Sequence, residues 1–384
     1  MLQEGTYIMS TANLSKTGAW LAGLLFCAAS TSSAYAEIVL GHSGDLSGTS
    51  AALTIDYVRG MNVYFDDLNK KGGIRGEKIK FISMDDGFNP DKTVVNTKAL
   101  IETQNAVALV GYRGTANVQK IVPMVQAVGI AQIGNTSGAK SLRDPFVADV
   151  FHMRASTTDE IESAVNHAWT IGIKKIAAIY QDDAFGKEGL EAFNASMQKR
   201  GATASALAPV PRGTVDVAKA IEIVSAAQPQ AVMLIAQAKP NAAFIQGMRL
   251  KGQRPQFFVL SISSGIQSEL KDAAGGIIVS QVVPYPFIEL GNVMVREYQG
   301  LILASNDKKF SYNSMEGFLN AKLVVRALQK TSGPVTRAKV ISALESFNNE
   351  DLGGGFAISY SKTSNLGSRF VNLTMIRPDG TFVR

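Results

Sequence analysis

The chain has 384 residues, 46% of them hydrophobic, and carries 38 Lys and Arg against 32 Asp and Glu for a net charge of +6. That length is enough for two lobes of ordinary size, and the basic excess is dispersed and lacks aromatic interleaving, which argues against nucleic acid as a partner. The single cysteine, Cys27, falls in the N-terminal segment, so for the rest of the chain disulfides, thiolate nucleophiles and cysteine metal sites are excluded together.

From the N-terminus, Lys16 precedes a short apolar run over 19–29 and then Ala34-Tyr35-Ala36. Basic residue, apolar core and A-x-A end predict a secretory signal peptide over 1–36, cleaved before Glu37, with a core too short to span a membrane. Met9 is an alternative start, since the first eight residues add nothing such a leader needs. The bulky Phe26 directly before Cys27 argues against lipid attachment. The mature product is expected in the periplasm, free and monomeric.

The next segments alternate. A strand is predicted over 37–41, then a helix whose Tyr57, Met61, Tyr64, Phe65 and Leu68 share one face and which stops at Gly72-Gly73. A strand over 79–84 leads to Asn89-Pro90, an N-cap followed by a first helical residue. Two apolar runs then end in small polar tips: Val107 to Val110 into Gly111-Tyr112-Arg113-Gly114-Thr115, and Ile130 to Ile133 into Gly134-Asn135-Thr136-Ser137-Gly138. Buried parallel strands read this way where they end in a ligand crevice, and a helix starting near Thr115 would aim its positive end there. A small anionic group suits such a place.

A second series opens near Arg154. Helices are predicted over 158–171, 185–200, around Val217 to Val224, and over 241–251, between strands over 175–180, 231–235 and 256–260 and an extended stretch over 202–209. Such alternation, twice over, predicts an α/β protein of two doubly wound lobes with parallel sheets. The last third breaks the rhythm: a strand over 277–283, the rigid Pro284-Tyr285-Pro286, helices over 292–305, 312–331 and 336–346, and a closing pair of strands over 356–360 and 370–376. The late helices are expected to return to the first sheet, so that repeated crossings make a hinge.

Gly44-Asp45-Leu46-Ser47-Gly48, Asn69-Lys70-Lys71-Gly72-Gly73-Ile74-Arg75-Gly76, Asp85-Asp86 with Asn89-Pro90, and Tyr180 through Gly189 together resemble the type I periplasmic solute-binding proteins of the leucine/isoleucine/valine-binding family, the receptors of ABC importers. The resemblance covers the chain after the leader. It implies two lobes joined by a multi-crossing hinge, here 37–154 with 285–350 and 155–284 with 351–384, closing over a small carboxylate-bearing solute. A branched-chain or other apolar amino acid is the first expectation, an aromatic or other organic acid the alternative. An ABC permease in the inner membrane is the implied partner, a sensor role the variant output.

Carried over by motif, Thr115, Gly134 and Thr136, with Asn135 between them and Tyr112 beside them, would hold the carboxylate, while Leu53 and Phe185 would lie against the solute. Where the family clamps an ammonium with a tyrosine and an acid, this chain has Gln237 and Ser263. Asp45, Asp159 or Asp183 could substitute, and Arg113 reads as a surface charge. No cofactor is implied. The three histidines, His42, His152 and His167, lack metal-ligand spacing, and neither a G-x-S-x-G elbow nor a phosphate loop is present. Asp85-Asp86 and Asp182-Asp183 sit at strand ends, where capping is their usual role. No catalytic residue is assigned, and an exported α/β hydrolase stands as the remote alternative.

Overall fold

The structure, a computed structural model, describes residues 37–287, 291–305 and 308–384, so the predicted leader and Cys27 lie outside the described residues. The first unit runs β1 (Glu37–Gly44), α1 (Ala51–Lys70), β2 (Lys78–Asp85), α2 (Pro90–Glu102), β3 (Ala108–Val110), α3 (Thr115–Val128), β4 (Ala131–Ile133) and β5 (Val150–Phe151). The second runs α4 (Thr157–Thr170), β6 (Ile176–Gln181), α5 (Ala184–Gln198), β7 (Leu207–Val210), α6 (Ala218–Ala227), β8 (Ala231–Ile235), α7 (Ala238–Leu250), β9 (Gln256–Val259), α8 (Ile266–Leu270) and β10 (Ile278–Gln281). Then come α9 (Val293–Ala304), α10 (Tyr312–Lys330), α11 (Arg337–Glu345), β11 (Glu350–Asp351), β12 (Ala357–Ile358), β13 (Asn372–Ile376) and β14 (Phe382–Val383).

Local chemistry sets the boundaries. Asn89 accepts from the Asp91 amide at 2.8 Å ahead of Pro90, and Ser156 and Asp159 cap each other's backbone at the start of α4. After α1 the chain reverses through Gly72 and Gly73 at φ +101° and +74°; a side chain on Gly73 would also run into the Glu77 carbonyl.

The first sheet is wholly parallel with order β2-β1-β3-β4-β5. The second has order β14-β13-β10-β9-β8-β6-β7, and its parallel part, β7-β6-β8-β9-β10, repeats the same winding. In both, the strand order reverses beside the first strand, and that switch point is where open α/β sheets bind ligands, beyond the carboxyl ends of the strands. Leu40, Val110 and Ile133 point to the α1 side of the first sheet while Leu109 points to the α2 and α3 side. In the second sheet Ile179 and Leu234 face α6 and α7, and Ala178 and Met233 face α4 and α5.

The late helices do return. α10 packs along α1, with α9 and α11 beside them. The two long helices cross at glycines: a side chain on Gly60 would meet the Ser314 carbonyl, and one on Gly317 the Tyr57 carbonyl. The chain then goes over again to add β13 and β14 antiparallel to the outer edge of the second sheet. Two of the crossings run side by side, the His152 amide donating to the Asn365 carbonyl at 3.0 Å and the Ser368 amide to the Met153 carbonyl at 2.9 Å.

Two expectations change. The closing strands do not pair with each other: β12 pairs with β11 and β13 with β10, because the chain between them is one of the crossings. The extended stretch predicted over 202–209 becomes a strand only at Leu207–Val210, where it lies against β6.

Candidate functional site

The cleft is built where the two switch points face each other. β3 ends at Val110, and the next turn uses Gly111 at φ +71° and Gly114 at φ +92° to deliver Arg113 and Thr115 at the N-terminus of α3. From the other lobe, Gln237 follows β8 and Ile262 follows β9. Arg113, Thr115, Thr136, Ser137, Phe185, Gln237 and Ile262 line a small cavity of about 10 Å³. The next residues of the same two loops, Ala238 and Ser264, together with Leu53, Phe287 and Tyr312, line a larger cavity of about 450 Å³.

Arg113 is the centre of this arrangement and is not a surface charge: it is only 4% exposed. Its Nη2 crosses the cleft to Gln237 Oε1 at 3.1 Å and to the Ile262 carbonyl at 2.9 Å. Burial, reinforced by nearby Arg154, lowers its pKa to about 10. At neutral pH it is still a cation. Arg212 crosses in the opposite direction, donating to the Phe88 carbonyl at 2.7 Å and to Asn117 Oδ1 at 2.8 Å, while Glu188 accepts from the Ser141 amide at 3.0 Å. These bonds hold the lobes in a closed arrangement.

Thr115 and Thr136 present hydroxyls beside Arg113; Thr115 Oγ1 lies 2.8 Å from Ser137 Oγ, and Thr136 Oγ1 has only a long 3.5 Å bond to the Tyr112 carbonyl. Phe185 and Gln237 reach the same cavity from the second lobe, and Leu53 lies on the wall of the larger one. The remaining predicted positions serve the frame. The Tyr112 ring is buried inside the first lobe with its hydroxyl 3.1 Å from Thr97 Oγ1. Gly134 turns its carbonyl to Tyr57 Oη at 3.0 Å, and any side chain there would collide with Asn320. Asn135 bonds Gln132 at 2.9 Å and accepts from the Ser137 amide, which shapes the turn. Ser263 donates to the Ala236 carbonyl at 2.8 Å and is fully buried in its own lobe.

The three acids considered for an ammonium clamp are all engaged. Asp45 accepts from the Gly48 and Ser50 amides and the Ser50 hydroxyl, Asp159 caps Ser156, and Asp183 caps α5 at the Gly186 amide. Asp85 and Asp86 likewise serve turn amides and hydroxyls, at Leu46 and Gly87 and at Phe88 and Thr93.

Beneath the cleft lies an ionic cluster that sequence reasoning missed. Arg154 contacts Glu160 Oε1 at 3.1 Å, Glu316 Oε1 at 3.4 Å, and the hydroxyl of Ser261. Burial alone would lower the Arg154 pKa, but Glu316 and Glu160 more than offset it and the pKa is raised; burial pushes that of Glu316 up despite Arg154. Glu160 also accepts from the Ser261 amide at 2.8 Å and the Ser280 hydroxyl at 2.5 Å. Among the described residues, no group of His, Cys, Asp and Glu could hold a metal ion, and no helix is long and apolar enough to cross a membrane.

Comparison with known proteins agrees with this architecture. The sequence model of a family described as "Periplasmic binding protein" matches residues 37–381. A substrate-binding periplasmic protein from Ralstonia solanacearum has 31% identity and a TM-score of 0.84 over 90% of this chain and 99% of that one. A possible leucine/isoleucine/valine-binding protein from Rhodopirellula baltica SH 1 has 26% identity and a TM-score of 0.85 over 91% of this chain and 97% of that one. An amino acid binding protein from Pseudomonas aeruginosa is 25% identical over 246 residues, 63% of this chain and 65% of that protein.

Proposed function

The chain belongs to the periplasmic binding protein family, and from that premise we propose that it captures a small carboxylate-bearing solute with an apolar body and hands it to an ABC permease. The observation that carries this reading is the grouping of Thr115 and Thr136, at the end of α3 that favours negative charge, opposite Phe185 and Gln237 of the other lobe. A carboxylate fits hydroxyls and a helix N-terminus. The neighbouring cavity of about 450 Å³ is within the range of about 300–1,000 Å³ usual for small-ligand sites, and Leu53, Phe287 and Tyr312 give it an apolar side for the solute body beside polar residues such as Asp56, Arg59 and Glu269.

Branched-chain and other apolar amino acids belong to this solute class, as do aromatic and other organic acids. Solute held between the lobes stabilises the closed form, and the closed surface is what a permease would recognise. In the same reading the leader is removed before Glu37 during export, which the mass of the exported protein tests.

The test of the function is a thermal-shift screen over apolar amino acids and short aliphatic and aromatic acids. A solute at about a hundred times its Kd adds roughly 2.7 kcal/mol of stability. A screen in which no carboxylate raises the melting temperature, while a sugar or a polyamine does, overturns the proposal.

A further inference from the structure

We infer that Arg113 is the anion receptor of the cleft, a specificity-determining residue whose bonds to Gln237 and Ile262 are taken over by a ligand carboxylate, and that the solute is therefore an acid needing no ammonium group. The inference rests on the carboxylate-solute reading above and narrows it.

The geometry supplies a buried cation with no direct ion pair. Arg113 is buried, yet no carboxylate lies within ion-pair distance of it among the described residues, and both groups that accept from its Nη2 are neutral. Its Nε has no hydrogen-bond partner although it is buried in the wall of the small cavity. A buried charge left on neutral acceptors is costly, and a guanidinium is shaped to receive both oxygens of a carboxylate. Glu160 and Glu316 both pair with Arg154, and although the surplus charge of Glu316 favours the Arg113 cation from a distance, neither glutamate bonds to it. A bound acid would supply the direct ion pair that Arg113 lacks. It would land between Arg113 and the hydroxyls of Thr115 and Thr136, and in releasing Gln237 and Ile262 it would replace one bridge between the lobes with another.

The same inventory disfavours an ammonium. Asp45, Asp159 and Asp183 are committed to their own loops, and the cleft already holds Arg113 with Arg212 at its edge. Of the acids on the larger cavity, Asp56 pairs with Arg59 and Glu269 is exposed, so an amino acid would bring a further cation with no buried, unpaired acid to meet it. Its deaminated counterpart brings only the charge that Arg113 lacks.

Three proteins decide the matter by calorimetric titration with leucine, 4-methylpentanoate, 4-methyl-2-oxopentanoate and benzoate. Wild type is expected to bind at least one of the three amine-free acids at least as tightly as leucine. Arg113→Gln should weaken that acid by about 10- to 100-fold, the usual range for losing a charge-assisted hydrogen bond. Gln237→Glu, which gives Arg113 an internal carboxylate, should weaken it by about tenfold or more while raising the melting temperature of the ligand-free protein. This second variant keeps the test open if Arg113→Gln does not fold. Acid affinity unchanged in Gln237→Glu, or in a folded Arg113→Gln, overturns the inference and leaves the carboxylate reading intact. Leucine binding without any analogue binding also overturns it, by requiring an ammonium clamp. Failure of all four compounds with wild type, in a protein that binds an uncharged solute, removes the carboxylate reading and the inference together.

Discussion

Arg154, on the segment that leaves the first sheet, and Glu316, on α10, come within 3.4 Å of each other although they lie in opposite halves of the chain. Glu160 shares the same guanidinium at 3.1 Å. All three groups are buried, so removing the cation leaves two carboxylates uncompensated. Arg154→Met should destabilise the protein by about 3–5 kcal/mol, the usual cost of breaking a buried ion pair from one side. Urea unfolding measures it, and a variant within 1 kcal/mol of wild type would mean that water reaches the two glutamates.

The crossing of α1 and α10 makes a second prediction. Gly60→Ala places a methyl against the Ser314 carbonyl, which is backbone and cannot rotate away. The gain in helix propensity, about 1 kcal/mol, should be outweighed by overpacking of about 1–3 kcal/mol or more. Gly300→Ala on α9, where nothing lies within 4 Å of the new methyl, is the control and should be neutral or stabilising. Melting temperatures that rise in both variants would show that the helices part at no cost.

Binding should depend on the two threonine hydroxyls. Thr115→Val and Thr136→Val keep shape and are each expected to cost about 1.5–3 kcal/mol of affinity for a carboxylate solute. Thr115→Val should also carry a small folding cost, because it leaves Ser137 Oγ without its neighbour at 2.8 Å. Titration with any solute found in the thermal screen measures the effect. Wild-type affinity in both variants would assign the carboxylate to backbone amides alone.

Acid should destabilise the protein through its buried histidines. His42 donates from Nδ1 to the Val110 carbonyl at 2.9 Å, and burial, only partly opposed by that bond, lowers its pKa from 6.5 to about 4. His152 is held well below the ordinary value by burial and by Arg143. Below pH 6.5 the unfolded chain takes up protons that the folded chain refuses, so stability present above that pH is lost as the pH falls toward 4. For His42 alone the loss reaches about 3 kcal/mol near pH 4. Melting curves at pH 7.5 and pH 5 should differ less in His42→Gln than in wild type; equal differences would assign the acid sensitivity elsewhere.

How far the sequence reached depended on the range of the interactions involved. Alternation of strand and helix, the Asn89-Pro90 cap and the glycine-ended strands at Gly111 and Gly134 are local signals, and each lies where local reasoning puts it. Thr115, Thr136, Phe185 and Gln237 do share one cavity. Tyr112, Asn135 and Ser263 carry the right chemistry in the right loops, but which way a side chain turns is set by packing that no spacing records. Arg113 looked like a surface charge because its acceptors, Gln237 and Ile262, come from the other lobe. The Arg154 cluster was invisible for the same reason, and a long-range covariation between Arg154 and Glu316 is the signal that would have found it. The pairing of residues 350–351 with 357–358 went unseen because Gly353 to Gly355 looked like an entry to a longer strand.

The attachment of β13 and β14 to the outer edge of β10 has a consequence for biogenesis. Synthesis from the N-terminus delivers the parallel strands of the second sheet well before residues 372–383. Until those arrive, the backbone edge of β10 is unpaired and able to recruit a strand from a neighbouring molecule. The interval between emergence of β10 and emergence of β13 is thus the period of greatest exposure to such pairing, and truncation before residue 372 would make that exposure permanent.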